Sequence, residues 1–103
     1  MKFTVFNTND ADVDIREASL WYEEQQAGLG FKFLDDVEQI LGFLEDRPTV
    51  FQKKQGEIRE APLKKFPFVV LYRIEEPDTI TVFAFFHTSK NPKRKTAHPL
   101  KPV

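Results

Sequence analysis

The chain has 103 residues, one domain's worth, and its 41% hydrophobic and 30% charged residues exclude wholesale disorder. It has no cysteine, which excludes disulfides, thiolate metal sites and a cysteine nucleophile. The net charge of −1 hides a split: residues 1–46 carry eleven acids against three bases, and residues 47–103 carry twelve bases against five acids.

Residues 2–6 alternate around Phe3 and Val5 and predict a short strand. Neither the basic start nor the apolar run of a signal peptide is present there. With no cysteine, this leads to the expectation of a reducing, cytoplasmic setting. Apolar runs such as Val82–Phe86 fall far short of the roughly 20 residues of a membrane span.

Asn7-Thr8-Asn9-Asp10 offers several helix N-caps, and Asp12, Asp14 and Glu17 follow in the first turns, where carboxylates suit the helix dipole. Helix one is predicted over 11–26, with Ala11, Ile15, Ala18, Trp21 and Tyr22 as its apolar face. Gly28 and Gly30 mark a stop and a tight turn. Helix two follows, from Leu29 or Gly30 to Asp46, with a stripe of Phe33, Leu34, Val37, Ile40, Leu41 and Leu44. The short link makes the pair an antiparallel hairpin. Asp35-Asp36 and Glu23-Glu24 read as solvated helix faces; Trp21 and Tyr22 read as core or partner contacts.

Residues 48–56 lose the pattern and read as a loop. Residues 57–61 predict a strand that Pro62 ends or places at an edge. Residues 66–74 and 79–87 are the strongest strands, joined by the turn Glu75-Glu76-Pro77-Asp78. In the last strand Ile80, Val82, Ala84 and Phe86 are expected on one face, with Thr81, Phe83, Phe85 and His87 on the other. Residues 93–103 form a basic, proline-containing tail after a single domain over 1–92.

The order β-α-α-β-β-β predicts an α+β two-layer domain: an antiparallel sheet with one face covered by the helical hairpin. Both central strands are apolar on both faces, so the open face calls for partial cover by a tail or a partner. Fourteen per cent aromatics supply the bulk that so short a chain needs for its core.

No Gly-rich phosphate loop, metal-ligand cluster or nucleophile elbow is present, and no metal or cofactor is expected. Arg59, Arg73 and His87 remain, flanked by Lys53, Lys54, Lys64, Lys65 and Lys90. Arg73 interrupts an apolar strand. It is either ion-paired with Glu57, Glu60 or Glu75, or free to clamp a phosphate through its paired donors. Arg59 has the same two readings. His87 is either structural or a general acid–base. Two arginines and a histidine on one open sheet face suit phosphodiester cleavage. Tyr72 points the other way and reads as core.

Arg59-x-x-x-Leu63, Phe66-Pro67-Phe68 and an apolar strand ending in His87-Thr88-Ser89-Lys90-Asn91-Pro92 form an ordered set. With Trp21-Tyr22 and Gly28-Leu29-Gly30 upstream, this set resembles the RelE/ParE toxin superfamily over roughly residues 2–92. The resemblance implies the toxin of a bacterial type II toxin–antitoxin pair, held inactive by a cognate antitoxin. RelE-like members cut messenger RNA in the ribosomal A site; ParE-like members poison DNA gyrase without enzymatic activity. Carried over by position, Arg59, Arg73 and His87 are the catalytic candidates, and Lys53, Lys54 and Lys90 the RNA-binding ones. Lys90 stands where many relatives have arginine, and loses the paired donor geometry. The expected function is a ribosome-dependent ribonuclease acting on messenger RNA. The alternatives are a gyrase poison and a degenerate member that only binds antitoxin. Exposed aromatics on the second sheet face and the groove beside helix two are the expected antitoxin contacts.

Overall fold

Thr8 starts the first helix. In the computed structural model, which describes residues 2–88, its side chain accepts a hydrogen bond from the Ala11 N–H at 3.1 Å, and α1 runs over Asn9–Gln25. Gly28, at φ +89°, turns the chain into α2, Leu29–Asp46. The Glu23 carboxylate closes this turn by accepting from both the Gly28 and the Gly30 N–H at 2.9 Å. Glu23 is therefore committed to the hairpin, where the sequence suggested a solvated side chain.

Five strands form one sheet in the order β1-β5-β4-β3-β2, with β1 at Thr4–Asn7, β2 at Lys53–Gln55, β3 at Ile58–Pro62, β4 at Phe68–Glu75 and β5 at Thr79–His87. This sheet is mixed, and the expected all-antiparallel arrangement is corrected at β1. That strand lies parallel to β5, pairing Val5 with Ile80 and Asn7 with Val82. No hairpin joins β1 to β5, so turn geometry does not force them antiparallel. β2 was expected as loop. It forms a three-residue edge strand folded back on β3 through Gly56, at φ +57°.

β4 begins at Phe68, two residues later than expected, because residues 64–67 turn over α2. There the Asp36 carboxylate accepts the Lys65 and Phe66 N–H groups, both at 2.8 Å. Asp36 is 1% exposed, which corrects its reading as part of a solvated face. The two bonds to Oδ2 offset part of the cost of its burial, while Oδ1 is buried with no hydrogen-bond partner among the described residues.

β5 carries a second correction. Leu71 pairs with Ala84 and Tyr72 with Val82, so Phe83 is an extra residue in β5. Such a bulge flips the inward–outward alternation. Ile80, Val82 and Phe85 consequently face the helices, while Ala84 and Phe86 face away. The α1 side chains close the backbone there. Thr8 donates its hydroxyl to the Phe83 carbonyl at 3.3 Å, and buried Asp14 accepts the Phe85 N–H at 3.0 Å. These bonds take over where β1 pairing stops.

The main core lies between the hairpin and the sheet, around Phe33, Val37, Leu44, Val70, Tyr72 and Val82. Tyr22 stacks on Phe33 at 5.6 Å and meets Phe66 edge-on at 4.8 Å. Tyr72, fully buried as expected, donates its hydroxyl to the Pro48 carbonyl at 2.7 Å and ties β4 to the chain after α2. Burial pushes this phenol up to about 12, against a weaker lowering by Arg59. A raised phenol contributes stability that is complete below about pH 10 and is lost as pH rises toward about 12. Tyr72→Phe is therefore expected to cost about 1 kcal/mol at neutral pH. It is also expected to remove that alkaline loss, as read from urea midpoints across the pH range.

Candidate functional site

Arg59, Arg73 and His87 sit on three neighbouring strands, but not on one face. Arg73 is opposite Thr81 on the face away from the helices. Its Nε and Nη2 both donate to Glu75 Oε2, at 3.0 and 2.7 Å, and its guanidinium lies 5.2 Å from the Phe83 ring centre. Thr81 donates to the same oxygen at 3.2 Å. Hydrogen bonding by Arg73 holds the Glu75 carboxyl below the usual glutamate range. Of the partners open to Arg73 in the sequence, the structure has Glu75.

Arg59 is paired with Tyr72 and shares its helix-facing side. Its Nη1 donates to the Phe51 carbonyl at 2.7 Å, bracing the chain between α2 and β2. His87 is paired with Phe68, and its ring packs edge-on to the Phe68 ring at 5.2 Å. Phe68 belongs to the helix-side core, so His87 also faces that side, the bulge at Phe83 having reversed its direction. Along β4 the Arg59 and His87 levels, Tyr72 and Phe68, lie four residues apart, or roughly 13 Å. The expected sharing of one open sheet face by all three is thus corrected.

Lys53 forms an ion pair with Glu57 at 3.0 Å across the β2–β3 turn and lowers the Glu57 carboxyl. Lys54 is exposed on β2. Lys90 lies outside the described residues. Among the described residues no group of His, Asp and Glu has a metal-binding arrangement. No described helix is long and apolar enough to cross a membrane.

The exposed apolar surface lies elsewhere. Leu20, Trp21, Phe31 and Leu34 emerge on the hairpin, with Phe31 72% exposed. A groove lined by Leu20, Gly30, Phe31 and Leu34 crosses the hairpin. Leu20 lies off the Ala11–Ile15–Ala18–Tyr22 stripe, and Phe31 off the Phe33–Val37–Ile40 stripe. That mismatch was the available sequence signal for this surface. A second groove runs beside α2 between Phe43, Phe51, Pro62 and Lys64.

Against known families, residues 5–92 match the model of the ParE toxin of the type II toxin–antitoxin system, parDE. The chain belongs to the ParE toxin family. Its fold agrees with that assignment. A chain from the chromosomal ParDE toxin–antitoxin system of P. aeruginosa superposes with a TM-score of 0.74 at 14% identity, over 84% of this toxin and 96% of that chain. One from the RelBE2 toxin–antitoxin complex of Mycobacterium tuberculosis superposes at 0.61 and 18% identity, over 84% and 99%. A comparison with curated proteins gives no match. This ParE-family toxin thus has the α+β fold shared by both systems: two helices packed on an open, mixed five-stranded sheet.

Proposed function

We propose that this toxin acts as a non-enzymatic poison of DNA gyrase and is held inactive by a cognate antitoxin. The observation that carries this reading is the position of Arg73, on the sheet face opposite Arg59 and His87. Cleavage through the three residues requires groups within hydrogen-bond reach of one phosphodiester. Arg73 is instead engaged by Glu75, and Arg59 by the Phe51 carbonyl. Membership of the ParE family supports the same reading.

For the antitoxin, the exposed hairpin side chains Leu20, Trp21, Phe31 and Leu34 form the best-suited contact surface. An amphipathic segment laid in their groove buries its apolar face there. The aromatics expected on the second sheet face suit this role less well, since Phe86 is only 3% exposed.

Separate Arg59→Ala, Arg73→Ala and His87→Ala variants, induced in cells to equal folded levels, are expected to retain growth inhibition within about threefold of the parent, a difference under ~1 kcal/mol in equivalent terms. Circular dichroism of each purified variant controls for folding. A loss of toxicity of a hundredfold or more in the folded Arg59→Ala and His87→Ala variants would overturn the proposal and favour RNA cleavage.

A further inference from the structure

The outer side of the helical hairpin carries exposed apolar side chains from both helices. Leu20 of α1 and Phe31 and Leu34 of α2 line one groove there, and all three are exposed. Gly30 lies between them. A Cβ at that position would come 2.7 Å from the Ser19 carbonyl oxygen, so the two helices approach closely and leave a channel between their flanking side chains.

The rim of this groove is acidic. Residues four apart on a helix are neighbours on one face. By that spacing Leu20 is flanked by Arg16 and Glu24, Phe31 by Asp35, and Leu34 by Glu38. Glu23 itself lines the groove. Four acids thus stand against one base. Lys32 is no counterweight to Glu38, since it stands about 200° around α2 from Leu34. Among the described residues Glu23, Glu24, Asp35 and Glu38 take part in no ion pair, so the negative charge of the rim is not neutralised within the chain.

We infer that this groove receives an amphipathic helix whose apolar face is flanked by lysines and arginines. The walls of the groove are helices, whose backbone groups are already paired. An occupant finds no sheet edge to extend there and must pair its own N–H and C=O groups, as a helix does. Charge then selects among apolar occupants. A second copy of this chain, docked by two-fold symmetry, would bring the same acids face to face. Nucleic acid and anionic membrane surfaces are repelled by them. A helix with basic flanks meets Glu24, Asp35 and Glu38 with opposite charge, which speeds encounter and disfavours wrong partners. The inference rests on the reading that the antitoxin docks on the hairpin, and names the chemistry of its docking segment. It stands apart from the gyrase reading.

The test titrates the full chain into fluorescently labelled peptides of roughly 18 residues, longer than the length at which isolated helices are marginal. The first peptide has leucines at helical spacing on one face with lysines flanking them. The second has glutamate at every lysine position. The third has the composition of the first in scrambled order, without an apolar face. By fluorescence anisotropy the lysine peptide is expected to bind at least about tenfold more tightly than either of the others, and to weaken as salt is raised. Glu24→Gln, Asp35→Asn and Glu38→Gln combined are expected to lose at least about fivefold of that affinity, and Phe31→Ser at least about tenfold, with circular dichroism matching the parent. Equal or tighter binding of the glutamate peptide, or full affinity in the triple variant, would overturn the inference; a loss in Phe31→Ser would then show that the groove is used without charge selection. Equal binding of the scrambled peptide would overturn it too, since charge alone would account for the association. Saturable binding by none of the peptides would overturn it together with the place of the antitoxin on the hairpin, and would leave the gyrase reading standing.

Discussion

Asp36→Ala is expected to destabilise the protein by about 4 kcal/mol, a large fraction of what a domain of this size possesses. The Asp36 carboxylate accepts two backbone N–H groups, those of Lys65 and Phe66, from a segment about thirty residues away in sequence. Truncation to alanine leaves both part-buried donors without this partner, each at roughly 1–3 kcal/mol. Packing adds to the loss. The same bonds hold the turn that places the Phe66 ring 5.3 Å from Phe33 and 4.8 Å from Tyr22. Both N–H groups donate to the same oxygen, Oδ2, so Asp36→Asn can keep both bonds without the charge and is expected to lose less than half as much. Asp35→Ala, at an exposed neighbouring position, is expected to stay within about 0.5 kcal/mol of the parent. Urea denaturation of the three variants reads these differences directly. Equal small effects at positions 35 and 36 would show that the carboxylate does not hold the turn.

Two glycines of α2 are expected to respond in opposite directions to the same substitution. Alanine in a helix interior is worth roughly 0.5–1 kcal/mol over glycine. At Gly42 a Cβ meets nothing within 4 Å, so Gly42→Ala is expected to gain about that amount. At Gly30 the Cβ comes 2.7 Å from the Ser19 carbonyl oxygen and 3.0 Å from Glu23 Oε1. The first of these atoms is α1 backbone and cannot turn aside. Relief requires the two helices to separate, which loosens the Glu23 clamp on Gly28 and Gly30. Gly30→Ala is therefore expected to cost about 2 kcal/mol, or on the order of 10 °C in Tm. A thermal melt of each variant checks the pair; a gain at both positions would mean that the hairpin is not closely packed at Gly30.

Both helices, their turn and the three longer strands were legible in the sequence because each has local signals. Thr8 stands before an acidic first turn, glycines interrupt the helical period, and Phe33, Val37, Ile40 and Leu44 keep strict spacing. The missing features depend on contacts distant in sequence. β1 pairs with a strand some seventy-five residues later, and nothing local to residues 4–7 fixes its direction. The bulge at Phe83 was hidden because Val82–Phe86 is apolar at every position, so alternation carries no information there. That one inserted residue moves His87 to the helix side, away from Arg73. Asp36 read as a solvated acid and Asp14 as a first-turn carboxylate suited to the helix dipole, because their partners, the N–H groups of residues 65, 66 and 85, become neighbours only after folding.

For the candidate site, the residue types were legible and their convergence was not. Arg73 had Glu75 among its possible partners in the sequence, and the structure pairs them on one strand. The commitment of Arg59 to the Phe51 carbonyl had no local signal, because it depends on how the chain after α2 returns to the sheet. The exposed Phe31 and Leu20 were readable as residues off their helical stripes.

The most direct test of the proposed activity adds the purified full chain to DNA gyrase and relaxed plasmid in the presence of ATP. In parallel, a translating extract is supplied with a reporter messenger RNA. The expected result is blocked supercoiling with accumulation of cleaved plasmid, and an uncut reporter by primer extension. Unimpaired supercoiling, together with new 5′ ends at A-site codons, would contradict a gyrase poison and identify a ribosome-dependent ribonuclease.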